Sequence, residues 1–94
     1  MSRPRRTKAD IEADARAAFQ KEIRVRRVEL DMSQNELAAE VGIVPSFMSN
    51  LLNNPDKLTA ARIRTIVQTL ELNPLVVMEF LGYTRKDLQR LMES

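Results

Sequence analysis

Ser46, Ser49 and Asn50 carry small, uncharged side chains that both donate and accept hydrogen bonds. At about 100° per residue they share one side of a helix, while Met48 and Leu51 point the other way, flanked by Phe47 and Leu52. Such a face can approach a surface closely and exchange hydrogen bonds with it. An α-helix in a DNA major groove needs this, because each base pair there presents its own pattern of donors and acceptors. Phe47 admits two placements, at the helix edge against a thymine methyl or within the core. Ser46, Ser49, Asn50 and Phe47 are therefore the candidate base-reading residues.

Other chemistry is narrowed by composition. The chain has no Cys and no His, which excludes disulfides, thiol nucleophiles, zinc sites of the usual kind and imidazole acid–base catalysis. Its carboxylates are scattered at helix-surface spacings with no cluster resembling a catalytic site, so no enzyme activity, cofactor or metal is expected. Residues 1–30 hold nine Lys or Arg against five Asp or Glu, and residues 31–94 hold six against eight. The positive field is thus concentrated at the amino-terminal end, as expected of a polyanion binder with a small net charge of +2. Arg3, Arg5, Arg6 and Lys8 around Pro4 form a basic arm over residues 1–7 and the first helical residue. It cannot pack as a core and is expected to lack fixed structure in the free protein. Two readings stand: an arm that tracks phosphates or enters a minor groove, or a solubilising terminus.

Helical elements that would position these residues can be read in order. Thr7 with Asp10 forms a capping pair for a long first helix, about Lys8 to Asp31, with Ile11, Ala15, Ala18, Phe19, Ile23 and Leu30 as its apolar stripe. Arg16, Lys21, Arg24 and Arg26 occupy its other face, expected to be solvated, with Arg24 or Arg26 in reach of a phosphate. Ser33 and Glu36 stand at capping-box spacing before Leu37, Ala38 and Val41. Gly42 suits a left-handed helix end and Pro45 the first position of the next helix. The result is a short helix, a tight turn and a second short helix. Asn53 to Lys57 reads as a turn. Thr59 caps a fourth helix with Ile63, Ile66, Val67 and Leu70 as core. Asn73 and Pro74 start a fifth, Leu75 to Leu81, which Gly82 is expected to end. Apart from Glu79 that helix is apolar on every side, so something must cover it all round. A last helix, about 85–93, capped by Thr84 and Asp87 and carrying Leu88, Leu91 and Met92, supplies one cover and a second subunit another.

The chain resembles the helix-turn-helix DNA-binding domain of phage repressors and Cro proteins (the lambda repressor-like type). Ser33-Gln34, Glu36-Leu37-Ala38, Val41-Gly42-Ile43, Met48, Leu51 and Asn53 carry the resemblance. It extends back to Ile23, Arg27, Leu30 and Met32 and forward to Ile63, Ile66, Leu70 and Leu72, about residues 19 to 80. The chain departs from the pattern where Val44 replaces a capping Ser or Thr and where Pro45 replaces a long polar reader. It departs again where Leu52 stands in place of a Glu that pairs with the arginine matching Arg27. Arg27 must then find another acceptor or reach solvent.

From this resemblance follow an all-α fold, a compact bundle of five short-to-medium helices with a central helix-turn-helix, and an extra C-terminal helix. The expected layout is a basic arm (1–7), a DNA-binding domain (8–82) and a C-terminal helix (83–94) for packing or dimerisation. Gln34, Asn53, Asn54 and Lys57 become candidate phosphate contacts alongside Arg3, Arg5, Arg6 and Lys8, the 53–57 stretch being otherwise an ordinary turn. Leu75, Val76, Met78, Phe80, Leu88 and Leu91 become candidate dimer contacts. The implied function is a sequence-specific regulator, a repressor, dimeric on a palindromic operator with recognition helices roughly 34 Å apart. The alternative is a protein-interaction module on the same fold, such as an antitoxin with a toxin partner or a phage antirepressor. With no signal peptide and no apolar run longer than Leu75 to Met78, a cytoplasmic protein is expected.

Overall fold

The computed structural model describes residues 7–84. The described residues form α1 (Lys8–Glu29), α2 (Gln34–Val41), α3 (Pro45–Asn53), a 3-10 turn (Pro55–Lys57), α4 (Ala60–Leu70) and α5 (Pro74–Thr84), with no strand among them. The expected all-α bundle of five helices is present. The anticipated C-terminal helix, with Leu88, Leu91 and Met92, lies outside the described residues, as do Arg3, Arg5 and Arg6.

Local chemistry sets the helix starts. Thr7 and Asp10, then Ser33 and Glu36, each make both hydrogen bonds of a capping box. The Thr59 hydroxyl accepts from the Arg62 amide, and Asn73 Oδ1 accepts from the Leu75 amide. Val44 gives α3 no side-chain cap, and Pro45 sits in its first turn.

The ends of α1, α2 and α4 share a left-handed closing residue. At the end of α2, Gly42 is left-handed (φ 84°), with Ile43 donating to Ala38 O and Gly42 to Ala39 O, the paired bonds of a Schellman closure. Asp31 (φ 54°) closes α1 in the same way, Met32 donating to Arg27 O and Asp31 to Val28 O. Glu71 (φ 51°) occupies the left-handed position after α4, where Leu72 donates to Val67 O. Helix α1 therefore stops at Glu29 rather than Asp31. Leu30, expected in the buried stripe, lies past this end and is 39% exposed. A Cβ at Gly42 would meet nothing within 4 Å, so Gly42→Ala carries only the conformational cost of a left-handed alanine. A loss of about 1–2 kcal/mol is expected, read from the urea midpoint.

The core gathers Phe19 and Ile23 of α1, Leu37 and Ala38 of α2, Met48 and Leu51 of α3, Ile63, Ile66 and Leu70 of α4, and Val77 and Phe80 of α5. Phe19 and Phe80 stack face to face, centroids 4.1 Å apart and planes within 6°. The expected interface residues of α5 therefore differ in exposure. Phe80 is fully buried inside the chain, whereas Leu75 and Met78 remain exposed and Val76 is half-buried. Helix α5 also runs through Gly82 to Thr84, the last described residue, so Gly82 does not end it. No described helix is long and apolar enough to cross a membrane.

Polar residues of α1, expected to face solvent, instead brace the helix-turn-helix. Arg16 donates from Nε and Nη2 to both carboxylate oxygens of Asp56 (3.0 and 2.9 Å). Hydrogen bonding to Asp56 raises the Arg16 pKa further, and at this exposure the pair contributes about 1 kcal/mol at most. Gln20 Nε2 donates to Leu52 O (2.9 Å) and Asn53 O (3.3 Å), satisfying carbonyls at the end of α3. Arg26 donates to Leu70 O at 2.9 Å and pairs with Glu29, while Glu22 accepts from the Asn73 amide at 2.7 Å. One helix thus fixes the end of α3 and the α4–α5 junction together.

Candidate nucleic-acid interface

Met48 and Leu51 are buried and hold α3 against α2 and the core. The opposite side is open: Ser46 and Asn50 are exposed and Ser49 is half-buried. Phe47 is 39% exposed, which rules out the core placement and leaves it on the rim of this face. The Arg62 guanidinium from the first turn of α4 lies over its ring, 5.1 Å from the centroid. Val44, at the tip of the helix, is 61% exposed.

Beside this face lies a pocket of about 320 Å³ between α1, the start of α2 and the end of α3. Arg24, Arg27, Gln34 and Asn53 supply its polar rim, and Gln20, already committed to the carbonyls of α3, forms part of its wall. Among the described residues, no carboxylate lines it. Arg27 Nη1 donates to Met32 O at 3.3 Å, but its Nε is buried without a partner. Leu52, standing in the same wall, offers that guanidinium no counter-charge. Two arginines meet the amino-terminal end of α2, whose unpaired amides and dipole also favour negative charge. A single oxyanion with several acceptor oxygens is what such a set can hold.

No family model matches this chain, and no curated protein or solved structure matches it either.

The structure brings some expected phosphate contacts together and separates others. Gln34 and Asn53 line the one pocket. Asn54 turns back and donates from Nδ2 to Asn50 O at 3.3 Å, capping the end of α3. Lys57 is exposed in the 3-10 turn. Lys8 begins α1, about 14 Å along the helix axis before Ala17, the first α1 residue at the pocket. Sequence reasoning missed that Arg27 belongs to this set, although Gln20, Arg24 and Arg27 at i, i+4 and i+7 form a polar stripe that could have signalled it. Arg62 carried no such signal, because its ring partner is on another helix. Among the described residues, no group of three metal-ligating side chains stands together.

Proposed function

We propose that this protein is a sequence-specific double-stranded DNA-binding regulator of the phage-repressor type. It represses transcription in the cytoplasm as a homodimer on a palindromic operator. The observation that carries this reading is the carboxylate-free pocket holding Arg24, Arg27, Gln34 and Asn53 next to the open side of α3. A backbone phosphate seated there would be held by the Arg24 and Arg27 guanidiniums and fix the register of α3 on the duplex, since phosphate contacts position and base contacts specify. Ser46, Ser49 and Asn50 then face base edges. Asn pairs bidentately with adenine.

Leu75 (69% exposed) and Met78 (55%) on α5 support a second subunit at that face. The same two residues favour the other reading, a protein-interaction module such as an antitoxin, whose partner would cover them.

Selection of bound duplexes from a random pool, with a parallel mass measurement of the complex, tests the proposal. Enrichment of paired half-sites with two subunits bound is expected, and no enrichment would refute it. In the same assay, Asn50→Ala should cost about 1–3 kcal/mol at one base step. An unchanged site preference would remove Asn50 from the reading surface.

A further inference from the structure

Arg62 lies on α4, outside the helix that carries the other candidate readers, yet its guanidinium rests over the half-open ring of Phe47, 5.1 Å from the centroid. Its side chain makes no hydrogen bond or ion pair with any described residue, only its backbone amide being engaged, by the Thr59 hydroxyl. The ring face attracts the cation and holds it beside this face while leaving its donors unspent. Phe47 is about 60° around α3 from Asn50, so the stacked pair borders the row of Ser46, Ser49 and Asn50. A planar fork of free donors beside an exposed apolar edge matches two adjacent features of the major groove. Guanine offers O6 and N7 as paired acceptors, and a 5-methylpyrimidine offers its methyl group.

We propose that Arg62 is a specificity-determining residue that reads guanine, with the Phe47 ring contacting the methyl group of the neighbouring 5-methylpyrimidine. The recognised step is thymine–guanine or 5-methylcytosine–guanine. This assignment rests on the DNA-binding function proposed above and adds a reader from a second helix to it.

The test compares duplexes selected from a random pool by the full wild-type chain, by Arg62→Lys and by Arg62→Gln. Wild type should enrich a site containing a thymine–guanine step. Arg62→Gln should lose discrimination for that guanine by about 10- to 100-fold, having neither the charge nor the guanidinium fork, whereas Arg62→Lys, whose ammonium can also donate to O6 and N7, should keep part of it. Replacing the thymine with deoxyuridine should weaken wild-type binding and leave Phe47→Ala unaffected. Exchanging it for 5-methylcytosine should preserve wild-type binding, and for unmethylated cytosine should not. The assignment is overturned if Arg62→Gln keeps the guanine preference, or if it weakens all sequences equally, the signature of a phosphate contact. Enrichment of sites lacking the step overturns this assignment alone. Enrichment of nothing overturns it together with the DNA-reading function beneath it.

Discussion

Phe80→Ala is expected to cost about 3–5 kcal/mol of folding free energy, the range for truncating a buried aromatic. The ring is fully buried and stacked on Phe19 at 4.1 Å, so its loss removes a central contact between α1 and α5 and leaves a cavity between them. A domain of this size has on the order of 5–15 kcal/mol in total. The variant should therefore unfold at a much lower urea concentration, or fail to fold at physiological temperature. Met78→Ala, on the exposed side of the same helix, should change the stability of the isolated chain by about 0.5 kcal/mol or less. The contrast is diagnostic. If Phe80 lay at a subunit contact, Phe80→Ala would alter the mass of the assembly and leave monomer stability nearly intact.

The second large effect is expected on duplex affinity. Arg24→Gln combined with Arg27→Gln should weaken binding about a hundredfold or more, since each hydrogen bond to a charged group contributes about 1.5–3 kcal/mol. The loss should be similar for every sequence, and the slope of log affinity against log salt should become shallower by about one, for the one phosphate released. Folding should be affected far less. Arg27 has one long hydrogen bond to Met32 O and a buried Nε with no partner. Removing its charge gives up little native interaction and relieves an uncompensated group, so Arg27→Met should change stability by about 1 kcal/mol at most. A variant that melts like wild type yet has lost duplex affinity would separate the ligand role of the pocket from any structural one. Equal affinity in the double variant would remove the pocket from the interface.

Which features could be read from the chain follows the range of the interactions. Capping pairs such as Thr7 with Asp10 and Ser33 with Glu36 are three residues apart, and Gly42 announces its left-handed conformation by its residue type. The stripes of α2, α3 and α4 have a clear phase, so Leu37, Met48, Leu51, Ile63, Ile66 and Leu70 fell in the core as the spacing implied. Helix α5 has almost no polar residues to set a phase, and the pattern could not tell inward Phe80 from outward Leu75. Asp31 and Glu71 adopt left-handed conformations that their residue types do not demand. The Schellman bonds impose them. The Arg16–Asp56 clasp and the Arg26 bond to Leu70 O join residues 40 and 44 positions apart, and no local rule pairs them. The pocket was half legible. Gln34 and Asn53 were expected at a phosphate, but Arg27 joins them only because Leu52 leaves it without a carboxylate.

Titration of the isotopically labelled full chain with a mixed-sequence duplex, followed by backbone amide NMR, tests the central claim most directly. Even non-specific complexes of such proteins, at about 10⁻⁴–10⁻⁶ M, are populated at the concentrations used. The largest shift changes are expected at Gln34, Ser46, Phe47, Asn50 and Asn53, around the pocket and the open side of α3. An unperturbed spectrum, or changes confined to α5 around Leu75 and Met78, would contradict it.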